Sequence, residues 1–390
     1  MSNLSGTLSY SDQGIKLKAL RGNYGKSPVK LDGEIDSGAN SRWSIRAISS
    51  GFYAEDLKDI PFFETLNFTG SAKLDFSLDG SSQLLRFENK IDLTPVAYRY
   101  KDVLIKDAEA LNKLQLKGRV IGGKTIAIER LTYELGESKL AGKVGIKSLD
   151  SPVFTLALGA QNFQIAPMAK FIPALGDNPK GSVNLDVRGR GDLKQFDAST
   201  FEGAVELANF SFKPESFPKP LNLKGKIKFL NGQYDFSALE LNSGSSNFMM
   251  SGGYKAGSQP VLDVALTGKS LVLDDFFASS ADSSMAVALK STLERSDLLS
   301  QGTSKVVFNV GQLNFKFWRL ERAEGNLIFK NKKLEINRLD AYAGEPIQGQ
   351  GSISLVDPKA IQFETHIWAK NTSTGKLFAL FGPVFGDSLS

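Results

Sequence analysis

The chain has no cysteine and one histidine in 390 residues. Without cysteine there is no disulfide, no thiolate nucleophile, no iron–sulfur site and no cysteine-ligated zinc. One histidine excludes a histidine-cluster metal site, and a Ser-His-Asp triad would have to use that residue. An excess of charge is also missing. The 47 basic and 42 acidic residues leave +5, spread evenly, which gives no footprint for nucleic acid. The start, Met1-Ser2-Asn3-Leu4-Ser5-Gly6, has no basic region and no apolar run, so it does not read as a signal peptide. The uncharged run over 151–169 is interrupted by Pro152, Gly159 and Pro167, and Phe154, Leu156 and Leu158 alternate in it. It reads as strand, turn, strand, and no transmembrane helix is expected.

The chain does have a period of two. Leu221, Leu223, Ile227 and Phe229 share one parity, and Lys224, Lys226 and Lys228 take the other. Ile361, Phe363 and Ile367 alternate with Gln362, Glu364, His366 and Trp368 in the same way. Successive side chains of a strand point to opposite faces, so the pattern predicts strands with one apolar and one wet face. Short turns such as Gly122-Gly123, Asn231-Gly232 and Asn331-Lys332 separate them, as hairpins require. Helical spacing is confined to short pieces, Ala166 to Leu175 and Lys376 to Phe381.

A long repeat organises these strands. Gly6, Gly118, Gly225 and Gly325 sit in matching segments, each followed by a turn, a strand and a second glycine: Gly33, Gly142, Gly252 and Gly351. Gly70-Ser71-Ala72-Lys73-Leu74-Asp75 matches Gly181-Ser182-Val183-Asn184-Leu185-Asp186, 111 residues on. A period of roughly 100–110 residues is too long for propeller blades and suits stacked modules. The expected fold class is all-β: an elongated, curled antiparallel β-sheet, a repeating β-groove, with short helical pieces at module ends. The expected modules are 1–69 (partial), 70–180, 181–285 and 286–390 (truncated).

No motif points to catalysis. Gly118-Arg119-Val120-Ile121-Gly122-Gly123-Lys124-Thr125 matches a phosphate-binding loop formally. That chemistry needs a helix after the loop, whereas Ile126-Ala127-Ile128 reads as a strand and Gly122-Gly123 as its hairpin turn. No nucleotide, cofactor or metal is expected. His366 shares parity with Glu364 and Trp368 and reads as a solvated strand residue. Arg188-Gly189-Arg190-Gly191 reads as a turn with weak anion-binding character.

The apolar parity is the informative feature. Its candidate lining residues are Leu116, Ile128, Leu156, Leu223, Ile227, Phe229, Phe236, Phe329, Ile336, Ile361 and Phe363. Phe229 and Phe363 are expected on equivalent strands of neighbouring modules. An ordinary sandwich or barrel core would show the same alternation. The repeat without long linkers, and the large flexible and aromatic groups on one parity, favour an open trough for hydrocarbon chains.

The stretch from Val287 to Phe381 resembles the carboxy-terminal region of the AsmA-like family of Gram-negative envelope proteins. The resemblance rests on four segments. They are Leu271 to Phe277, Val306-Val307-Phe308-Asn309-Val310-Gly311-Gln312-Leu313, Leu320-Glu321-Arg322-Ala323 with the hairpin to Leu334, and Leu339-Asp340-Ala341-Tyr342-Ala343-Gly344 followed by Gly349-Gln350-Gly351-Ser352-Ile353. The earlier modules are similar to looser copies. The resemblance implies a non-enzymatic lipid-transfer conduit in the periplasm. It implies acyl lipids, phospholipids among them, as partners, contacts with inner and outer membranes, and an N-terminal inner-membrane anchor that this chain lacks. The alternative is a structural or assembly factor for outer-membrane proteins or secretion machinery that offers strand edges. A polysaccharide lyase would need acidic and basic clusters on successive coils, which the sequence does not have.

Overall fold

In the computed structural model the described residues are 2–38, 41–57, 67–100, 104–148, 151–176, 178–214, 217–276, 301–315, 318–354 and 362–369. Among these described residues the fold is all-β, 76% strand, and the large sheet does not close. The chain divides into two compact units, Met1–Leu175 with Ser182–Ala204, and Gly176–Gly181 with Val205–Ser390.

The first unit begins with β1 (Ser2–Ser11), β2 (Gly14–Tyr24), β3 (Ser27–Asp36) and β4 (Arg42–Tyr53), each antiparallel to the next. After the short β5 (Asn67–Thr69), β6 (Ser71–Ser81) pairs with β4, and β7 (Leu84–Asp92) pairs with β6. The short β8 (Ala97–Tyr100) and β9 (Leu104–Lys106) join β5 in a separate three-stranded sheet. A second quartet then continues from β7: β10 (Asn112–Ile121), β11 (Thr125–Leu135), β12 (Ser138–Lys147) and β13 (Val153–Gln164). Next to β13 lies β14 (Lys180–Asp192), and β15 (Thr200–Phe212) crosses the unit boundary.

The second unit holds a quartet of β16 (Leu221–Leu230), β17 (Gln233–Ser243), β18 (Ser246–Lys255) and β19 (Val261–Val272). A single strand, β20 (Thr303–Phe315), follows. The last quartet is β21 (Trp318–Lys330), β22 (Lys333–Tyr342), β23 (Pro346–Ser354) and β24 (Gln362–Ala369). One junction departs from the antiparallel expectation, because β19 and β20 run parallel with Val261 opposite Thr303.

The sequence repeat reappears as strand geometry. The second strand of every quartet carries the same irregularity, a register shift between Leu17 and Leu20, Ile128 and Leu131, Phe236 and Leu239, and Ile336 and Leu339. Such an extra residue bends a strand and adds twist. The second repeat glycines lie opposite these shifts: Gly33 faces Leu17, Gly142 faces Leu131, Gly252 faces Phe236 and Gly351 faces Ile336. At Gly252 the backbone has φ +129°, and a Cβ would lie 2.1 Å from the Asp263 carbonyl oxygen. Only glycine fits that bend.

Each unit has hydrophobic clusters at one end of its strands, and further buried side chains, Phe154 in the first unit and Phe329 in the second, lie toward the other end. In the second unit Leu221, Leu241, Phe248 and Leu271 pack with Phe308, Val310 and Leu320, and Phe217, Leu273 and Phe276 close over them. In the first unit Leu135, Met168 and Phe171 form one cluster, and Ala72, Val96 and Tyr98 form another. The apolar run over 151–169 is one long strand followed by a 3-10 turn, Ala166–Lys170, rather than two strands. The helical spacing expected over Ala166 to Leu175 yields two 3-10 turns, because Pro167 and Pro173 each begin a new one. The piece expected over Lys376 to Phe381 lies outside the described residues.

Candidate apolar surface

Cross-strand partners share a face, so the register shows which side chains line up. In the first unit one row runs Leu8, Leu17, Gly33, Ile45, Leu78, Phe87, Gly118, Ile128, Val144, Leu156 and Gly189, one residue from each of eleven strands. The neighbouring row passes through Ala47, Phe76, Asn89, Leu116, Leu131, Gly142 and Leu158. Three of the sequence-derived residues, Leu116, Ile128 and Leu156, are therefore on one face.

The second unit repeats the arrangement. Ile227, Phe236, Gly252, Val264, Val306, Leu327, Ile336 and Gly351 form one row. Phe229, Tyr234, Tyr254, Leu262, Ser304, Phe329, Leu334 and Ile353 form the next. Ile227, Phe229, Phe236, Phe329 and Ile336 thus share the second unit's apolar face. Leu223 packs against the core cluster. None of these four rows contains Asp, Glu, Lys or Arg. Phe363 stands opposite Ile353 in register, and Ile361 lies outside the described residues.

Phe229 and Phe363 are not equivalent, contrary to the expectation. Phe229 is on the first strand of its quartet and Phe363 on the fourth. The counterpart of Phe229 is Phe329, on the first strand of the next quartet.

The face is only partly covered. Along β16, Leu223, Ile227 and Phe229 are half-buried, while Asn222, Lys224, Lys226 and Lys228 opposite them are exposed. Phe329 is the most enclosed candidate, at 6% exposure. Glycines on this face, Gly118 in the first row and Gly325 in the row beyond Leu327, leave room for rings on the adjoining strand. A Cβ on Gly118 would lie 2.8 Å from Phe87 Cζ, and one on Gly325 would lie 2.4 Å from Phe308 Cε1. Aromatic rings thereby spread across gaps between strands. Phe229, Tyr234 and Tyr254 continue this surface, with ring centroids 6.3 and 5.8 Å apart. Chemically the face offers area and dispersion contact, with no ionised group to polarise a bond.

The opposite face carries the charge. Arg46 donates twice to Asp75 at 3.1 and 2.8 Å, and Lys117 meets Glu88 at 3.0 Å. A depression of about 270 Å³ lies among Arg46, Asp75, Ser77, Glu88 and Lys90. Its cations and carboxylates neutralise one another, Arg46 with Asp75 and Lys90 with Glu88. Arg188 and Arg190 belong to strand β14, not to a turn as expected. Arg188 pairs with Asp186 at 3.9 Å. His366 lies 3.6 Å from Glu364 and stacks on Trp368, a solvated position. Gly122 and Gly123, at φ +57° and +65°, form the hairpin turn between β10 and β11, so no helix follows the formal phosphate-loop match.

Sequence reasoning missed a polar clamp at the covered end of the sheet. In the second unit Asp275 accepts hydrogen bonds from the Ser245 and Ser246 amides and the Ser246 hydroxyl, all at 2.9 Å. Lys219 pairs with it at 2.8 Å. Burial alone would push this carboxyl up, but Lys219, Ser246 and the Ser245 amide together hold it below the ordinary carboxylate value. In the first unit Asp56 accepts from the Lys26 and Ser27 amides at 3.0 Å and from the Ser27 hydroxyl at 2.5 Å. The Ser27 hydroxyl is the leading reason that this carboxyl is also held low. The signal was present as Gly25-Lys26-Ser27, Gly136-Glu137-Ser138 and Gly244-Ser245-Ser246, which follow their repeat glycines by 19, 18 and 19 residues. Nearby, the buried Lys106 ammonium donates to the carbonyls of Leu93 at 2.9 Å and Thr94 at 2.8 Å, and to that of Val96. Burial pushes its pKa down.

No family model matches the chain, and no curated protein or solved structure does either. Among the described residues no helix is long and apolar enough to cross a membrane.

Proposed function

We propose that the apolar face of each unit carries the acyl chains of lipids, and that the protein is a non-enzymatic lipid-transfer conduit. The observation that supports this most is the unbroken, uncharged row crossing eleven strands in the first unit and its counterpart in the second. A hydrocarbon chain needs continuous apolar area and little specific polar contact. A chain of about sixteen carbons that hides half its methylenes gains about 6 kcal/mol, at about 0.8 kcal/mol each. The half-buried state of Ile227 and Phe229 suits this use, because a sealed core would admit no ligand and a fully exposed face would promote aggregation. The AsmA-like resemblance of the sequence is what supports a periplasmic setting in a Gram-negative cell for this proposal. There it would carry phospholipid between inner and outer membranes and support outer-membrane integrity.

The test compares neighbouring positions on opposite faces. A photo-crosslinking residue at 229 is expected to capture lipid in cells, and one at 228 is not. Phe229→Glu is expected to block transfer with the fold retained, since the carboxylate breaks the hydrocarbon path but still reaches water when no lipid is present. Lys228→Glu is expected to be nearly neutral. Equal capture at both positions, or none at 229, would defeat the conduit and favour the assembly-factor reading.

A further inference from the structure

We infer that the turn end of the second unit's apolar face receives an anionic headgroup, so that the lipids held there are acidic ones with the headgroup at this rim. The inference rests on the conduit reading and narrows it to a lipid class. Next to the row of Phe229 and Tyr234, the last ladder position of each strand from β16 to β24 makes one further row, from Leu230 to Gln362. It contains Lys255, Lys330 and Lys333, and Lys332 sits in the turn between the last two. Among the described residues neither this row nor the turns beyond it hold an Asp or Glu. The corresponding rim of the first unit is mixed, because Asp12, Asp36 and Asp192 accompany Arg42, Lys124 and Lys147 there.

Lys330 and Lys333 stand directly opposite each other in register, and like charges so placed destabilise a strand pair. Among the described residues only Lys333 of the four lysines is in an ion pair, with Glu335 at 3.3 Å. Lys255, Lys330 and Lys332 are exposed. An anion at the rim would relieve this repulsion with charge-assisted hydrogen bonds. The chain of the same molecule has its own place. Tyr254 and Leu334, half-buried on the apolar face, directly adjoin Lys255 and Lys333 along their strands. Lysine stems lie along apolar surface while the ammonium stays in water, so one lipid can meet both. The opposite end of the strands is closed by Phe217, Leu273 and Phe276, so a headgroup reaches water at the turn end.

The test uses the full 390-residue chain and two probes with the same acyl chain, anionic lysophosphatidylglycerol and zwitterionic lysophosphatidylcholine. Titration calorimetry is expected to show the anionic probe binding at least about fivefold more tightly, the order of one good surface ion pair. The difference is expected to shrink at high salt. Lys255→Gln, Lys330→Gln and Lys332→Gln combined are expected to bring the two affinities within about twofold of each other. Lys224→Gln, Lys226→Gln and Lys228→Gln combined remove the same charge from the exposed polar face of β16 and are expected to leave the preference intact. All six lysines are exposed, so both variants are expected to keep the native circular dichroism spectrum. Equal affinity for the two probes, or equal loss of preference in the two variants, would overturn the inference and leave the conduit reading standing. Binding of neither probe would overturn both. Inorganic phosphate at the concentration of the lipid is expected not to displace lysophosphatidylglycerol. Displacement would assign the rim to free anions and overturn the inference.

Discussion

Replacing Asp275 by alanine tests the clamp that secures the covered end of the second unit. Asp275 is 1% exposed, and its carboxylate is the hydrogen-bond acceptor for the Ser245 and Ser246 amides. The Ser246 hydroxyl keeps a partner after the change, because it also contacts the Val272 amide and carbonyl at 2.9 and 3.2 Å. Two amides lose their acceptor, at about 1–3 kcal/mol each. Lys219 is half exposed, so its return to water adds about 0–1 kcal/mol. The expected loss is about 3 kcal/mol, or roughly a hundredfold in the opening equilibrium of the β17–β18 hairpin.

The effect has a defined pH dependence. The folded carboxyl is held below its ordinary value, so between the two values the unfolded state binds more protons. The clamp therefore contributes fully above the unfolded pKa of about 3.9 and fades as pH falls through the lower folded value. Amide hydrogen exchange over Ser246–Lys255 reads this locally. Asp275→Ala is expected to lose protection about a hundredfold at pH 7, and the loss is expected to shrink as pH falls below the unfolded pKa of about 3.9. Asp275→Asn, which keeps one acceptor oxygen, is expected to fall between it and the native chain. A loss below about threefold at pH 7, or one that persists undiminished at pH 3, would refute the assignment.

Two further substitutions probe the repeat. Gly252→Ala places a Cβ 2.1 Å from the Asp263 carbonyl oxygen and 2.8 Å from the Val264 Cα, and is expected to cost more than about 2 kcal/mol in urea unfolding. Gly257→Ala, at φ +152° with open space around it, is expected to cost about 1 kcal/mol, from conformation alone. Equal effects would show that the close strand approach at Gly252 carries no weight. Lys124→Ala, in the β10–β11 turn, is expected to change neither the unfolding midpoint nor lipid capture at 229. Loss of capture with stability intact would restore a phosphate-binding role for that turn.

The strands were legible because their apolar residues recur every second position, and each register-shifted second strand lies between glycines that recur in the sequence. The apolar face was legible for the same reason, down to Ile227, Phe229 and Phe236. The run Arg188 to Gly191 was misread because two glycines in four residues signal a turn. In the fold they serve packing: a Cβ on Gly189 would lie 2.6 Å from Phe201 Cε1. The Asp56 and Asp275 clamps were not legible as contacts, because each joins residues about thirty positions apart whose meeting depends on the hairpin already being paired.

The parallel junction is the deepest miss, since nothing in the alternation of β19 or β20 distinguishes it. Its cause lies in counting. Two strands, β6 and β7, separate the first two quartets, so β10 runs in the direction of β1 through antiparallel pairs alone. Only β20 separates the last two. If β21 is to run like β16, with its bulge and its apolar parity on the same side, β20 must oppose β21 and therefore match β19. An all-antiparallel meander would have inverted the last quartet end for end. Its register-shifted strand would then lie against the wrong end of its neighbours. The parallel pair keeps Val264, Val306, Leu327 and Ile336 in one row, so the continuity of the apolar face takes precedence over the hairpin connection.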